Sequence, residues 1–371
     1  MNILMLSGDT SVVEGKHGAF NNTLEEFSKY WDKVDIIVPP LEGISRHDSF
    51  RNVTFYPSPW PKLMQPLFIW SQGLMLASER KYDLIVSHDY GLFLNGRGAS
   101  RLVRKLSVPH VSEIHHVDGH PRPATIRDRI TLWMTRNYVR KMRSTVAGFR
   151  ITNEVELRPL LVRWGVPDEK IMLLYSLYLD FEVFRPKPTQ HEFDAIFCGR
   201  LVSNKGLGLF LEGLAHARKK LRDLRVLVIG QGPLAASLSR RTVDLGLAAN
   251  IEFRGWIDTP NELADLYRRS HCLICTSLAE GGPRVVAEAL ACGVPVITTR
   301  VGLAGDLVQN GVNGFHIDWS AKEMADRLSQ INSDRELRFR LGKSAPDAVR
   351  RFEKSRVIGE YAAAYQKLAS R

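Results

Sequence analysis

The sequence contains no uninterrupted apolar run of about 18 residues, the length that a membrane-spanning helix requires. Its opening, Met-Asn-Ile-Leu-Met-Leu-Ser, lacks the basic segment and the small-residue cleavage site of a secretory signal. This opening is typical of a buried first strand. We therefore expect a cytoplasmic protein.

Cysteine is scarce, with four residues in a chain of 371. This number is too small for a disulfide framework. Cys272 and Cys275 form a Cys-x-x-Cys, but they lie in an apolar run with strand character. A zinc site needs about four ligands, and no second pair follows at a suitable distance. We expect these cysteines to be small buried side chains.

Recognisable nucleic-acid modules are also missing, although the formal net charge is +11. An excess of Lys and Arg attracts nucleic acid, anionic lipid or a phosphorylated substrate. Neither a paired zinc motif nor aromatic ribonucleoprotein strands occur in the sequence. We therefore expect no nucleic-acid partner, and we attribute the charge to membranes, phosphates or both.

What the chain does contain is a regular alternation of strands and helices. A length of 371 residues suits two domains, and a composition 44% hydrophobic and 25% charged is that of a globular protein. Short β-branched runs alternate with helical patterns, which predicts two parallel α/β sheets. The expected strands are 2–7, 34–39, 83–87, 110–114, 145–149, 171–175, 193–198, 225–229, 251–254, 271–275 and 294–298.

The domain boundary is predicted in the segment 184–190, which carries two prolines and polar residues, as an extended linker does. We expect an N-terminal domain at 1–185, a second domain at 186–352 and a final helix within 353–371. This helix can pack back on the N-terminal domain. Within the second domain, Thr259-Pro260-Asn261-Glu262 predicts a helix start with an N-cap hydroxyl and a capping box.

A glycine loop after the strand 193–198 carries two basic residues. Gly199 lets the backbone turn at the carboxyl end of this strand, the edge where open α/β sheets bind ligands. Arg200 and Lys205 could converge there on a diphosphate, since a guanidinium binds it bidentately and an ammonium adds a compact charge. Basic loop residues are more often simply solvated, and the second glycine turn at Gly230 is weak evidence alone.

A further anion site is predicted where the next strand meets a helix. Gly281 and Gly282 free the backbone, and Pro283 is expected at the first helical position. Unpaired N–H groups and the helix dipole attract an anion at such a start. Since proline lacks an N–H, we expect the donors to come from Arg284 and Val285.

Two glutamates flank this helix start. Glu280 precedes the helix, and Glu288 lies about one and a half turns past Pro283. Glu280 can therefore reach the sugar side of a bound phosphate and Glu288 the nucleoside side, where pairs of hydroxyls donate to carboxylates. The alternative is that Glu288 is a surface residue. Its apolar neighbours favour burial, and a buried glutamate needs a partner or a purpose.

These residues resemble glycosyltransferase family 4, the retaining enzymes of the GT-B fold. The resemblance implies an α/β protein of two Rossmann-like domains that face each other across a cleft. The family hallmark is two glutamates separated by seven residues and followed by Cys-Gly-x-Pro-Val, which Glu280, Glu288 and the segment 292–296 match. Other family marks match in order at 199–200, 205–206, 230–233, 253–255, 277 and 310–315.

The first domain resembles the family more loosely. The family often has paired glycines beside the acceptor and the donor phosphates, and Gly18 is the residue carried over to that position. The strand at 111–115 resembles the family strand that ends in a histidine near the reacting sugar. His116 follows directly, so either histidine could hold the position; we prefer His115.

The resemblance implies a retaining transfer of a sugar from a nucleotide-diphosphate donor to a glycan, lipid-linked or small-molecule acceptor, in cell-surface polysaccharide or glycolipid synthesis. Arg200, Lys205 and the helix start would stabilise charge on the leaving diphosphate. Glu280 would orient sugar hydroxyls, and Glu288 would bind the ribose. The sequence has no Asp-x-Asp motif, so we expect neither metal nor cofactor.

Two segments predict peripheral contact with an anionic membrane at the inner membrane face. The segment 59–70 combines two tryptophans with aliphatic residues and a lysine, and 122–143 mixes basic and apolar residues. This is the pattern of an interfacial helix. Equally, the helix could pack its apolar stripe on its own sheet.

Three other functions fit the same kind of ligand. A GT-B phosphorylase is expected to have a lysine-bound cofactor and a much longer chain, and an epimerase a different set of carboxylates and histidines. A non-catalytic subunit that binds sugar nucleotides is the third, since a fold does not establish an activity.

Overall fold

A computed structural model describes residues 1–16 and 18–370, which form two compact units. The first unit comprises Met1–Val117, Ile130–Ser176 and the chain from Ser355 onward. The second comprises Asp118–Arg129 and Leu177–Lys354. The segment around Pro186, where the sequence suggested the boundary, thus lies inside the second unit.

The first unit is built on an eight-stranded sheet with the order β3-β4-β2-β1-β5-β6-β7-β8, in which β3 pairs antiparallel with β4 and the other pairs are parallel. Its strands are β1 (Asn2–Leu6), β2 (Lys33–Val38), β3 (His47–Ser49), β4 (Val53–Pro57), β5 (Leu84–His88), β6 (His110–Ile114), β7 (Gly148–Ile151) and β8 (Ile171–Leu173). Its helices are α1 (Ala19–Phe27), α2 (Gln65–Glu79), α3 (Leu94–Leu106), α4 (Ile126–Met142), whose first turn belongs to the second unit, and α5 (Leu157–Arg163).

The second unit contains a six-stranded parallel sheet with the order β11-β10-β9-β12-β13-β14. Its strands are β9 (Ala195–Cys198), β10 (Val226–Ile229), β11 (Ile251–Arg254), β12 (Leu273–Cys275), β13 (Val296–Thr299) and β14 (Gly314–Ile317). The helices are α6 (Leu207–Ala217), α7 (Ala235–Asp244), α8 (Pro260–Arg268), α9 (Arg284–Ala291), α10 (Gly302–Leu307), α11 (Ala321–Ser333), α12 (Arg335–Ser344) and α13 (Lys354–Ala369), of which α13 joins the first unit from Ser355 onward. Short 3-10 helices lie at Ser28–Tyr30, Lys62–Met64, Asp168–Lys170, Ser203–Lys205 and Ala345–Val349.

The strands of both sheets form because their apolar runs can be buried on both faces. All four residues of β10 are buried, as are the last four of β1. Strands covered on both faces read as nearly continuous apolar sequences, and for this reason the predicted strands are all present with small shifts of their ends. Missed were β3, which is partly exposed, β4, which contains Thr54 and Pro57, and β14, which contains Gly314 and His316.

Two local predictions are confirmed. Pro260 is the first residue of α8, and the Thr259 hydroxyl accepts a hydrogen bond from the Glu262 amide. The four cysteines are free and buried. Within residues 1–16 and 18–370, no helix combines the length and the apolar character that crossing a bilayer requires.

Candidate active site

The glycine turns of the second unit meet at the carboxyl ends of β9 and β10. Gly230 has a φ of 150°, and a methyl group added to it would lie 1.9 Å from the carbonyl oxygen of Gly199. Only glycine allows two strand ends to approach this closely. Gly230 therefore lets the end of β10 pack against the backbone of the loop that carries Arg200 and Lys205.

Lys205 and Glu280 form an ion pair at this edge. Both side chains are mostly buried, at 14% and 15% exposed. The lysine chain lies over Gly199, where an added methyl group would be 3.8 Å from its Nζ. Ser277 Oγ donates a second hydrogen bond to Glu280 Oε1 at 2.9 Å. The structure thus brings three predicted site residues together.

The loops that hold this pair are tied to each other. The Leu278 amide donates to the Asn204 carbonyl at 2.7 Å, Asn204 Nδ2 donates to the Ala279 carbonyl at 3.1 Å, and Thr276 Oγ1 donates to the Lys205 carbonyl at 3.0 Å. These bonds fix Lys205 and Glu280 before any ligand arrives. Asn204 and Thr276 were missed by the sequence analysis, because loop hydrogen bonds leave no periodic pattern.

Arg200 lies on the same loop, directly after Gly199, and it is exposed. Its guanidinium forms no ion pair with any residue in the described part of the chain. It is therefore available to an anionic ligand, in contrast to Lys205, which already has a carboxylate partner.

The helix start differs from its prediction in one respect. Pro283 is the N-cap residue, with φ −65° and ψ 96°, and α9 begins at Arg284. The prediction that Pro283 opens the helix is wrong because its ψ is extended rather than helical. The amides of Arg284 and Val285 head the helix, where N–H groups lack intrahelical partners. Gly281 and Gly282 precede them, and the Gly281 carbonyl accepts a bond from the Leu303 amide at 3.0 Å.

Glu288 is buried, only 6% exposed, and is not a surface residue. The Tyr267 hydroxyl donates to its Oε2 at 3.1 Å, and Arg284 Nε donates to its Oε1 at 3.0 Å. Burial raises the pKa of Glu288, and these two partners offset part of that rise. The carboxylate is therefore held in a fixed orientation one turn inside α9.

The side chain of Arg284 is 41% exposed, yet its guanidinium already has several partners. Besides Glu288, its guanidinium bonds the Tyr178 carbonyl at 2.9 Å and lies 5.6 Å from the Tyr178 ring. Arg284 can therefore offer a ligand its backbone N–H, whereas its charge already has partners. Tyr178, which lies before the linker, receives this contact. Its role as a partner of Arg284 could not be predicted from the sequence.

In the first unit, His115 follows β6 and lines a cavity of about 340 Å³ together with His88 and Ser176. His115 Nε2 lies 2.9 Å from Glu113 Oε2. His116 is exposed and is not among the residues that line this cavity. Of the two histidines, the structure thus places His115 at a cavity.

Gly18 is the N-cap residue of α1, and its carbonyl accepts a bond from the Asn22 amide at 3.0 Å. A methyl group added to Gly18 would meet no atom within 4 Å. His17, which directly precedes Gly18, lies outside the described residues.

Behind His115 lies a buried network centred on Glu113. Arg150 Nη1 pairs with Glu113 Oε2 at 2.8 Å, and the hydroxyls of Tyr361 and Tyr365 donate to Oε1 at 2.7 and 2.6 Å. Burial opposes ionisation of Glu113, but Arg150, His88 and His115 outweigh it and hold its pKa well below the usual range. The network joins α13 to the sheet of the first unit.

A sequence pattern for this network exists in retrospect. Glu113 and Arg150 are charged residues in strands that are buried along their whole length, and the two residues are direct neighbours across β6 and β7. A charge in such a strand needs a partner. The spacing of Tyr361 and Tyr365 places both hydroxyls on one helix face.

The second unit therefore presents an edge whose chemistry suits an anion, with carboxylates at each end. Arg200, Lys205 and the first amides of α9 are donors for phosphate oxygens. Glu280 and Glu288 are acceptors for hydroxyl groups. Among residues 1–16 and 18–370, no group of three or more His, Cys, Asp or Glu side chains is arranged to hold a metal ion.

Comparison with known proteins finds two family models that match this chain. The model of "Glycosyl transferases group 1" matches residues 180–348, and that of "Glycosyl transferase 4-like domain" matches residues 31–175. Together these two matches extend over most of both units.

Similar proteins cover nearly the whole chain. An uncharacterized glycosyltransferase of Methanocaldococcus jannaschii is 25% identical over 91% of this chain and 93% of its own length. The D-inositol 3-phosphate glycosyltransferase of Corynebacterium glutamicum is also 25% identical, over 98% of this chain and 96% of its own length. The structure of Anabaena HepE with UDP and glucose has a TM-score of 0.72 at 19% identity, covering 99% of this chain and 100% of that one.

The two matched models, the full-length relatives and the two Rossmann-like sheets agree with one another. Among the residues that carried the resemblance, Lys205 and Glu280 pair at the carboxyl-end edge of the second sheet, and Glu288 has defined partners in α9. The chain belongs to the glycosyltransferases of the family 4 type and has the GT-B fold.

Proposed function

We propose that this glycosyltransferase transfers a sugar from a nucleoside diphosphate donor to a glycan or lipid-linked acceptor, with retention at the anomeric carbon. One observation carries the proposal: the Lys205–Glu280 pair and the exposed Arg200 lie on the loops at the edge that also bears α9 with its buried Glu288. A sugar diphosphate needs cationic donors for its phosphates and carboxylates for its hydroxyls, and this edge supplies both.

The diphosphate would be bound by Arg200, Lys205 and the first amides of α9. Lys205 has three N–H donors, so its bond to Glu280 leaves donors for phosphate oxygens. As the bond between the anomeric carbon and the phosphate oxygen breaks, its electron pair moves to the leaving diphosphate. Fixed donors that already point there stabilise the growing charge without rearrangement. We expect no metal ion, since these groups supply the positive charge.

The two glutamates would recognise opposite ends of the donor. Glu288 is held by Tyr267 and Arg284, and its remaining lone pairs can accept the two ribose hydroxyls. Glu280, held by Lys205 and Ser277, would orient hydroxyls of the transferred sugar. Glu280 then has an orienting role and forms no covalent bond to the sugar.

Retention would follow from attack on the face that the diphosphate leaves. The acceptor hydroxyl forms the new bond to the anomeric carbon, and its proton passes to an oxygen of the departing phosphate. From the first unit, His115 and Gly18 would contribute to acceptor binding. His115 has the orientation for such a role, since Glu113 fixes its Nε2.

The relatives suggest where to start the search for substrates. HepE is a protein whose structure contains UDP and glucose, which makes UDP-glucose the first donor to test. The D-inositol 3-phosphate glycosyltransferase suggests a phosphorylated small acceptor as a further candidate beside glycans and lipid-linked sugars.

A thermal-shift panel of UDP, GDP, ADP and their sugars tests the donor class. A ligand at about 100 times its dissociation constant stabilises the folded chain by about 2.7 kcal/mol, so one base should give a clear upward shift. The positive compound is then incubated without acceptor. An epimerase would convert the sugar, whereas a transferase leaves it intact or hydrolyses it slowly.

We further propose that the first unit contacts anionic lipid through a basic surface on α2, α3 and α4. Arg101 and Arg104 of α3 line one groove with Leu67 and Trp70 and a second groove with Trp133. Leu67 and Trp133 are 46% and 65% exposed. The residues of α4 that face inward, such as Tyr138, are buried, so this helix both packs on the unit and keeps apolar residues outside.

Flotation with vesicles of phosphatidylglycerol and phosphatidylcholine tests this surface. The variant Arg101→Glu/Arg104→Glu should lose flotation at moderate salt, because interfacial binding combines charge attraction with apolar contact. Arg51→Glu/Lys81→Glu, two other exposed positions of the same unit, provides the matched charge control. No flotation of the wild type at any salt concentration would remove this part of the proposal.

A further inference from the structure

A second cavity in the second unit lies at the opposite edge of its sheet. It has a volume of about 620 Å³, within the range of small-molecule sites. His271, two residues before β12, and Pro295, directly before β13, belong to its wall. This cavity therefore lies at the amino ends of the strands, whereas Lys205 and Glu280 lie beyond carboxyl ends.

Helix α9 shows the same separation. Its first residue, Arg284, belongs to the candidate donor site, and the residues after its last turn, Cys292 and Gly293, line the cavity. Eight helical residues separate the two ends by about 12 Å. A ligand in this cavity would therefore occupy a different place from the sugar nucleotide.

The wall of the cavity is cationic. Lys187, Arg335 and Lys343 line it and are exposed. None of these three side chains forms an ion pair with a described residue. Arg338, one turn along α12 from Arg335, also lines it and donates to the Ile331 carbonyl at 2.8 Å.

One guanidinium in the wall is buried and incompletely bonded. Arg268 is 7% exposed, and its Nη1 donates to the carbonyls of Val183 and Arg185 at 3.4 and 3.2 Å. Its Nη2 lies 3.7 Å from Asp265. Its buried Nε has no hydrogen-bond acceptor among the described residues. A buried N–H without a hydrogen-bond partner is costly. The Arg268 guanidinium therefore adds an incompletely bonded positive charge to the cavity wall.

Carboxylates near the cavity already have other partners. Asp194 Oδ2 accepts the Arg225 amide at 2.8 Å, and its Oδ1 lies 3.6 Å from His271. Asp334 caps α12 by accepting the Leu337 amide at 2.8 Å. Both carboxylates attract the Arg338 charge, but neither forms an ion pair with Lys187, Arg335 or Lys343, so these three cations remain without a carboxylate partner among the described residues.

Two pKa shifts agree with this excess of positive charge. Burial lowers the pKa of His191, and the neighbouring His271 and Arg338 lower it further. Burial also lowers the pKa of Arg338, with an added contribution from Arg335. In both cases a nearby cation makes a further positive charge unfavourable.

We infer that this cavity is a second anion-binding site that takes a small phosphorylated ligand. Five lysine and arginine side chains around one cavity match the charge of a di- or polyphosphate, and guanidinium groups bind phosphate oxygens bidentately. The inference does not depend on the donor assignment at Lys205, because the two sites share no residue.

Calorimetric titration of the full-length chain with inorganic pyrophosphate tests this site. Wild-type protein and Lys205→Ala should both bind pyrophosphate at this cavity. The exposed double variant Arg335→Glu/Lys343→Glu should bind it at least about tenfold more weakly. The control variant Lys219→Glu/Arg240→Glu makes the same change of net charge at two exposed positions, Lys219 after α6 and Arg240 on α7. Its affinity for pyrophosphate should stay within about twofold of that of the wild type.

Three results would overturn the inference. The first is the absence of saturable binding to wild-type protein. The second is equal weakening in both double variants, which would indicate general charge attraction. The third is binding that Lys205→Ala abolishes while Arg335→Glu/Lys343→Glu retains it, which would assign pyrophosphate to the donor site alone and leave the proposed function intact. Should the double variant fold poorly, Lys343→Glu alone gives the same comparison.

Discussion

Each unit contains a glutamate–cation pair close to a candidate site residue, and the two pairs differ in how fully they are shielded from solvent. Glu113 and Arg150 have side chains 0% and 2% exposed, and two tyrosine hydroxyls complete the shell around Glu113. Glu280 and Lys205 are 15% and 14% exposed and lie beside an exposed Arg200. An ion pair shielded from solvent on all sides stabilises the fold, whereas a pair that still contacts water can exchange that water for a ligand.

Electrostatics explains why the difference matters. A fully buried charge that loses its partner has no water to replace it, so breaking the pair destabilises the protein. A partly exposed pair regains solvent and changes stability little. We therefore expect mutations in the first unit to act on folding and mutations in the second to act on ligand binding and turnover.

Glu113→Ala should give the largest loss of stability. It leaves Arg150 buried without its carboxylate, and we expect the free energy of unfolding to fall by about 3–5 kcal/mol. Urea unfolding followed by tryptophan fluorescence measures this change. Glu280→Ala is the matched control in the second unit, and a loss equal to that of Glu113→Ala would erase the distinction between the two pairs.

Lys205→Ala should have the largest effect on activity. Removing one preorganised donor to a developing charge costs about 10²–10³ in turnover, and Arg200→Ala should act in the same direction. Stability should change by less than about 1 kcal/mol. Initial rates of sugar transfer measure the effect, with the exposed Lys219→Ala as control. Turnover close to that of the wild type would refute the assignment.

Glu288→Ala should mainly weaken nucleotide binding. Hydrogen bonds to a charged group contribute about 1.5–3 kcal/mol, so we expect at least a tenfold rise in the dissociation constant of the free nucleoside diphosphate. Tyr267→Phe removes one neutral donor to the same carboxylate and should have a smaller effect. An unchanged dissociation constant for Glu288→Ala would count against the ribose role.

Asp89 in the first unit should make the stability of the protein depend on pH, with an effect smaller than those of the three substitutions above. Burial raises the pKa of Asp89 to about 6, although Ser112, Ser87 and Tyr138 donate to it. As pH falls, the folded chain therefore protonates Asp89 before the unfolded chain does. The stabilisation that comes from this proton grows as pH falls through about 6 and is lost as pH rises.

Comparison of wild type with Asp89→Asn at pH 8 and pH 5 isolates this contribution. Buried His88, whose pKa burial lowers to about 4, acts in the opposite direction and is present in both proteins. Wild type should therefore gain stability relative to Asp89→Asn on going to pH 5, by up to about 1.4 kcal/mol per pH unit. If the urea midpoints of wild type and Asp89→Asn differed by the same amount at pH 8 and at pH 5, the raised pKa of Asp89 would be contradicted.

The sequence predicted the second unit more completely than the first, for a physical reason. Glycine turns, the two glutamates and the helix start lie within short stretches of chain, and Glu280 and Glu288 are eight positions apart. Local chemistry of this kind can be read along the chain. In this unit the helical position of Pro283 was wrong, because a proline that fits the first turn also fits an N-cap. Strand β14 and the start of the unit at Leu177 were missed as well.

Contacts between distant parts of the chain were not predictable in this way. Glu113 meets Tyr365 across 252 positions, and Lys205 meets Glu280 across 75. The sequence placed Lys205 and Glu280 near a common ligand, yet their direct pairing depends on how the loops after β9 and β12 are tied together. Likewise, only the structure shows that α3 joins the two segments proposed for lipid contact.

The central claim is that the edge formed by Lys205, Glu280 and α9 binds a nucleoside diphosphate. The most direct measurement is the calorimetric affinity of the nucleotide selected by the panel for wild type, Lys205→Ala and Glu288→Ala. The account predicts saturable binding to wild type and at least about tenfold weaker binding to each variant. Equal affinity in all three proteins, or no binding of any nucleoside diphosphate, would contradict it.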